Sequence, residues 1–338
     1  MLTEEKILFV SLIMPCRNEE KYIQSCLDSI LAGDYPSDRL EIIVVDGMSE
    51  DNTRQIVLEY CQKFSNLRLL DNPKKNVMAA MNRGIEASSG DVIFKMDAHS
   101  IFEENYVSSC VKVLVESGAD NVGGKFVIKP GANTAIAEGI AYVMGHSLGI
   151  GRYYEWMHSL EEPTEVETVS FGCFRKDMLA KRNLGFNEEL SRGGDSEFNK
   201  RLRAQGGNVL LFPHIVFDYF ARPSLSSLWK HQFSCGYWVV YWTRFKGELT
   251  LRSCVPMLFL VGLFASLVVA LVFPQLLYFS LIIPVSYLAV IGFYSLKLAI
   301  KEKKFRLLFL MPLVFGTLHI SRGLGSLYGG WRRLWSKK

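Results

Sequence analysis

Short runs of apolar residues, each ending in a polar cluster, alternate with amphipathic stretches over the first hundred positions. Ile7–Met14 is almost wholly apolar and stops at Pro15-Cys16-Arg17-Asn18-Glu19-Glu20. A strand buried on both faces reads this way, because a parallel sheet covered by helices on either side has no polar face. Glu41-Ile42-Ile43-Val44-Val45 repeats the pattern and stops at Asp46-Gly47, and Leu67–Leu70 and Val92–Met96 are two further strands. Between them the periodicity predicts helices up to Leu31, over Arg54–Phe64 after a turn at Ser49–Thr53, and over Ala79–Ala87. This alternation predicts an α/β fold, a doubly wound sheet with helices on both faces.

The last third follows another rule. From Ser253 to Leu296 there is no Asp, Glu, Lys, Arg or His. A membrane-spanning helix needs about 20 apolar residues, so the run is long enough for two. Phe273-Pro274-Gln275 supplies a turn near its middle, and a C-terminal α-helical membrane hairpin is expected, with spans about 254–273 and 276–296. Segment 307–328 reads as a third span or as a re-entrant or interfacial piece, since Pro312, Gly316 and His319 interrupt its apolar start. Basic residues flank the hairpin, Arg244, Lys246 and Arg252 before it and Lys297, Lys301, Lys303, Lys304 and Arg306 after it. The positive-inside rule puts both flanks in the cytoplasm. The expected division is therefore 1–250 for a catalytic domain and 251–338 for a membrane region.

Composition adds three points. The chain has 338 residues and a net charge of +4, much of it in the membrane-proximal tail, which anionic lipid explains better than nucleic acid. Seven scattered cysteines without a C-x-x-C pair fit reduced thiols in the cytosol. No secretory signal is expected, because Met1–Lys6 is acidic and Ile7–Met14 is short.

Open α/β sheets bind ligands outside the carboxyl ends of their strands. Three of the expected strands deliver Arg17-Asn18-Glu19, Asp46, and Asp97-Ala98-His99 to that edge. Each alone fits an ordinary strand-end turn; together they point to a ligand crevice. Asp97 and His99 can reach one divalent cation. A carboxylate suits Mg2+ or Mn2+, and imidazole favours Mn2+. Asp195 follows Arg192-Gly193-Gly194 and precedes the helical run Ser196–Ala204, a position that suits an N-cap or a general base. The aromatic stretch Leu228–Phe245, with Trp238 at its centre, suits a membrane interface.

Several ordered motifs resemble glycosyltransferase family 2. They are Pro15-x-Arg17-Asn18-Glu19, Val44-Val45-Asp46-Gly47-x-Ser49-x-Asp51-x-Thr53, Ala80-x-Asn82-x-Gly84-Ile85-x-x-Ala87-x-x-Gly90-Asp91 and Met96-Asp97-Ala98-His99. The likeness continues through Val169–Arg175 and Gly194–Leu202 to Gln232 and Gly236-Tyr237-Trp238. It is nearest to the succinoglycan-type, membrane-anchored enzymes of bacterial exopolysaccharide assembly, with Asp-Ala-His where many relatives have Asp-x-Asp. The resemblance implies a GT-A fold, a doubly wound mixed sheet followed by the membrane hairpin. It also implies an inverting transfer from a nucleotide sugar, a UDP-hexose, to a polyprenyl-diphosphate-linked saccharide. The setting would be cell-surface or exopolysaccharide biosynthesis at a bacterial-type inner membrane, with a multi-pass anchor and a cytoplasmic catalytic domain.

By the same resemblance Pro15, Arg17, Glu19, Asp46, Lys75 and Asp97 would bind the nucleotide sugar, Asp46 at the nucleobase and Asp97 at the ribose or the metal. Gly172, Glu197 and Trp238 would meet the acceptor, and Asp195 would be the catalytic base. One departure stands out: Gly194 replaces the acid or amide that relatives often carry before this Asp, leaving open what supports its loop. Two alternatives are a polyprenyl-phosphate sugar synthase and a non-catalytic nucleotide-binding scaffold.

Overall fold

The computed structural model describes residues 7–149, 151–241, 243 and 251–335, without the side chains of 251–253. Arg244, Phe245, Lys246 and the C-terminal lysines Lys337 and Lys338 lie outside the described residues. Two compact units emerge, residues 1–127 with 156–219, and residues 128–155 with 220–338. The division expected at residue 250 thus falls inside the second unit.

The first unit opens with the expected alternation: β1 (Val10–Cys16), α1 (Ile23–Leu31), β2 (Leu40–Asp46), α2 (Thr53–Lys63), β3 (Leu67–Asp71), α3 (Val77–Ala87) and β4 (Val92–Lys95). These strands are parallel, and their register sets the strand ends level: Cys16 lies opposite Asp46, and Asp46 opposite Asp71. On the other side of β1, Ile13 pairs with Lys95, so β4 ends one step lower and Asp97 follows at the rim. Then come β5 (Ser100–Phe102), α4 (Tyr106–Ser117) and β6 (Asn121–Lys129). After α5 (Ala135–Met144) and α6 (Tyr153–Ser159) follow β7 (Thr164–Glu165), β8 (Cys173–Arg175), α7 (Lys176–Lys181), α8 (Gly194–Ala204) and β9 (Val209–Phe220). β8 runs antiparallel to β4, Phe94 opposite Cys173, so the sheet is mixed, with order β3-β2-β1-β4-β8-β6-β9-β5.

Burial explains why these runs became strands. Leu12, Met14, Ile42, Val44, Val92 and Phe94 sit in one core cluster with Ile23 and Leu27 of α1 and Tyr106 and Leu114 of α4. Glycine sets how closely α3 lies on β1, because a Cβ at Gly84 would collide with the Ile13 side chain.

The second unit is helical: α5, α9 (Leu225–Tyr241), α10 (Leu251–Val272), α11 (Leu277–Ser280), α12 (Ile282–Lys301) and α13 (Arg306–Trp335). A 3-10 turn at Pro274–Leu276 closes the hairpin where the proline predicted it. Three segments, Cys254–Val272, Pro274–Lys301 and Arg306–Trp335, are long and apolar enough to cross a membrane. Phe264 and Leu271 of α10 are 68% and 73% exposed, a surface that hydrocarbon stabilises and water does not. The expected interruption of segment 307–328 does not occur: α13 is one helix of 30 residues. Pro312 stands in its second turn, where the missing N–H costs only the bond to Leu308.

Polar contacts tie this unit together. Glu138 of α5 accepts from Lys304 and from Arg306, at 2.6 Å from the latter, and Tyr142 donates to Glu302 at 2.8 Å. His319 of α13 contacts the Leu148 carbonyl at 2.7 Å and the Tyr287 hydroxyl at 3.0 Å. α9 and α13 meet backbone to backbone: a Cβ at Gly236 would collide with the Arg322 carbonyl, one at Gly325 with that of Phe233, and one at Gly329 with that of Tyr237. Small residues permit such approach where no water drives helices together. Gly325→Leu is expected to destabilise the unit by roughly 1–3 kcal/mol through overpacking, read as a lower thermal midpoint in detergent; an unchanged midpoint would show that α9 and α13 do not touch there.

Candidate active site

The loops after β1 and β2 are stapled to one another. The Asn18 N–H donates to Ser49 Oγ at 2.9 Å, and the Glu50 N–H returns a bond to Asn18 Oδ1 at 2.9 Å. One step on, the Glu19 N–H donates to Thr53 Oγ1 at 2.7 Å and the Glu20 N–H to Asp51 Oδ2 at 3.2 Å. Asn18 holds φ of 56°, a left-handed turn that Asn tolerates better than most residues. Pro15, buried in β1 opposite Val45, leads into this loop.

Asp46 is fully buried. Its carboxylate accepts the Ser49 hydroxyl at 2.5 Å and the Ser49 N–H at 3.2 Å, with Arg54 Nη1 at 3.4 Å. Arg54 also reaches Asp71 at 2.6 Å. Asp46 therefore organises its own turn at the edge where the resemblance put a nucleobase. Arg17 and Lys75 are exposed and converge on Glu50, at 3.4 and 3.9 Å, forming a basic rim above that turn.

His99 is buried, and its Nδ1 lies 3.1 Å from Glu19 Oε1. The carboxylate of Glu19 is thus directed at the imidazole. A carboxylate on one ring nitrogen fixes the tautomer and orients the ring, as it does for metal-bound histidines. Among the described residues no three or more of His, Cys, Asp and Glu gather into a metal cluster. Asp97 and His99 both follow β4, the Asp97 carboxylate 3.3 Å from Lys95 Nζ and the His99 ring held against Glu19.

Lys95 was not foreseen as a site residue. It is 4% exposed, with Nζ 3.0 Å from Asp195 Oδ2, 3.3 Å from Asp97 Oδ1 and 5.4 Å from the ring centre of Phe171. Burial works against its charge, but Asp195 and Asp97 outweigh that and push its pKa above the ordinary lysine value. Burial raises the pKa of Asp195; the Lys95 charge opposes this, the Asp97 charge adds to it, and the balance is upward. A sequence signal existed: a lysine inside an otherwise apolar strand needs a counter-charge.

Asp195 is not an N-cap. α8 begins at Gly194, its cap is Gly193 at φ 75°, and no side chain caps it. The carboxylate instead points to Lys95. Gly194 answers the question of support: a Cβ there would collide with the Met78 sulfur, so glycine lets α8 begin against α3. The preceding loop is held by Asn76, which donates to the Glu188 and Leu190 carbonyls at 2.9 and 3.0 Å. Asn82 exchanges two bonds of 2.8 Å with the Phe186 backbone.

The acceptor set is not gathered in the same way. Gly172 packs on Asn121 and its carbonyl accepts from the Lys95 N–H at 3.1 Å, so its missing side chain serves the sheet. Glu197 is buried and forms a two-pronged pair with Arg201, at 2.6 and 2.7 Å. Trp238 belongs to the second unit, edge-on to Tyr237 and Tyr241.

A mixed sheet thus brings acids, an imidazole and a buried lysine together at its strand ends. The family model for glycosyl transferase family 2 matches residues 11–182, and the chain belongs to that family. It is 29% identical over 235 residues to "Dolichyl N-acetyl-alpha-D-glucosaminyl phosphate 3-beta-D-2,3-diacetamido-2,3-dideoxy-beta-D-glucuronosyltransferase" of Methanococcus voltae, covering 68% of this chain and 72% of that one. It is 24% identical to the succinoglycan biosynthesis protein ExoA of Rhizobium meliloti, covering 67% of each. Among solved structures, the mannosyltransferase PcManGT from Pyrobaculum calidifontis, in complex with GDP-Man and Mn2+, superposes with a TM-score of 0.58 at 19% identity, over 98% of this chain and 88% of that one. TarS 1-349 of S. aureus, in complex with UDP-GlcNAc, gives 0.51 at 19% identity, over 68% and 66%. The protein is a family 2 glycosyltransferase of GT-A fold.

Gly194→Ala is expected to push the start of α8 away from Met78 and misplace Asp195, lowering sugar transfer by about 10²-fold with little change in nucleotide affinity. Transfer at the parent rate would show that the close approach of α8 to α3 is not needed.

Proposed function

We propose that this enzyme is an inverting glycosyltransferase that moves a hexose from a UDP-sugar to a polyprenyl-diphosphate-linked saccharide, in the assembly of a cell-surface or exopolysaccharide. The observation that carries this reading is the pair of carboxylates, Asp97 and Asp195, held on one buried ammonium at the sheet edge. The dolichyl-linked sugar in the name of the archaeal relative supports a lipid-linked acceptor. The three apolar helices support a multi-pass membrane anchor, and the basic hairpin flanks support a catalytic domain on the cytoplasmic side of a bacterial-type inner membrane.

Two chemical problems must be solved in this transfer. The departing diphosphate needs its charge neutralised, and the acceptor hydroxyl must lose its proton. Asp97 and His99 would hold a divalent cation, Mn2+ or Mg2+, which when bound supplies Lewis-acid stabilisation of phosphate oxygens. Glu19 keeps the His99 ring turned for that task, and Arg17 and Lys75 border the path of the nucleotide. Asp46 sets the turn on which the nucleobase rests. Asp195 takes the proton from the acceptor hydroxyl as its oxygen bonds to the anomeric carbon and the bond from that carbon to the diphosphate breaks. A single displacement inverts the centre, so an α-linked donor gives a β-linkage.

Three results test this. Thermal-shift titration with UDP-glucose, UDP-galactose and their N-acetyl forms is expected to raise the midpoint only when Mn2+ is present; no shift with any of them removes the donor assignment. Asp195→Asn is expected to lower transfer by about 10²–10⁴-fold with donor binding retained. Retained transfer would instead favour a lipid-phosphate acceptor, which needs no base. Because Asp195 works only when deprotonated and its pKa is raised, activity should fall as pH drops through a value above the ordinary 3.8, read from the acidic limb of kcat/KM.

A further inference from the structure

The ammonium of Lys95 contacts both Asp97 and Asp195, at 3.3 and 3.0 Å, and it is almost wholly buried. Each side of it is built. The Phe171 ring covers one face at 5.4 Å, and Phe171 holds φ of 54°, a left-handed conformation seldom taken by an aromatic residue. The Lys95 backbone is pinned by its N–H to the Gly172 carbonyl at 3.1 Å. The next residue is pinned to the opposite strand, the Met96 N–H donating to the Ile13 carbonyl at 2.9 Å. A lysine fixed this firmly at both backbone and side chain is not a solvated charge.

We propose that Lys95 is a positioning residue that acts through Asp195: by holding Oδ2 of that carboxylate, it leaves Oδ1 as the oxygen that meets the acceptor hydroxyl. The proposal rests on the reading of Asp195 as the base. Its logic is geometric. Asp195 sits in the first turn of a helix that begins at two glycines, with no side-chain cap to set its direction. A short aspartate side chain there has several rotamers, and the bond to Lys95 selects one. Lys95 also ties the base to the strand that carries Asp97, so the proton acceptor and the cation-holding motif keep one spacing. Without the ammonium, the charge of Asp97 would repel the Asp195 carboxylate and turn it towards water.

The test uses the full-length protein in detergent. Lys95→Met and Lys95→Arg are compared with the parent for kcat, for KM of the UDP-sugar that the binding screen selects, and for affinity of UDP with Mn2+ by titration calorimetry. Lys95→Met is expected to lower kcat by about 10²-fold while UDP affinity changes less than about twofold, and Lys95→Arg is expected to recover part of the rate. A double-mutant cycle supplies the decisive reading: Lys95→Met combined with Asp195→Asn should be no slower than Asp195→Asn alone. Independent, multiplying losses would overturn the proposal, as would a fall of about tenfold or more in UDP affinity, about 1.4 kcal/mol, which would make Lys95 a phosphate contact. If Lys95→Met does not fold, Lys95→Arg alone carries the test, because a displaced guanidinium must change kcat and not UDP affinity. Failure of the base reading shows separately, as full transfer by Asp195→Asn.

Discussion

Parallel strands deliver all their carboxyl ends to one edge, and there the sheet stops supplying hydrogen-bond partners. The loops must find their own. In this chain they find them in each other: Asn18 bonds across to Ser49 and Glu50, and Glu19 and Glu20 bond to Thr53 and Asp51. Those bonds fix the backbone of Glu19, which in turn fixes the ring of His99. A residue at the mouth of β1 thus orients one at the mouth of β4, although eighty positions separate them. The two loops thereby set Glu19 against His99 through polar bonds alone.

Charge is handled differently in the centre. A buried lysine between two carboxylates must repay the desolvation of its charge, and removing the lysine would leave both carboxylates uncompensated. The cluster is therefore a poor source of stability and a good source of geometry. The glycines around it do complementary work. Gly194 and Gly172 each remove a side chain that would collide, with Met78 and with Asn121, beside the segments holding Asp195 and Lys95.

Much of this was legible beforehand. Apolar runs between Ile7 and Met96 located four parallel strands within a few residues, because strands buried on both faces have no other reading. The hairpin turn at Pro274 and the two apolar helices flanking it were equally plain, whereas segment 307–328 stayed open between a span and a re-entrant or interfacial piece. What escaped had a common cause: it depended on pairing across long sequence separations. Nothing local shows that β8 returns antiparallel beside β4, that Glu197 pairs with Arg201, or that Asp46 is wrapped in its own turn. Pro312 misled because α13 runs on through it, although it lacks the N–H that would bond the Leu308 carbonyl. Lys95 was visible as an oddity in an apolar strand, but its partner Asp195 lies a hundred residues away.

The glycine contacts between α9 and α13 have a mechanical consequence. Most helix pairs meet through side chains, which can change rotamer and let one helix slide past the other by small steps. Here main chain also meets main chain, at Gly236, Gly325 and Gly329, beside the ring contacts of Tyr328 with Phe233 and Tyr237. Main chain has no rotamers to exchange. Sliding of α9 along α13 would therefore have to move backbone against backbone at those three positions.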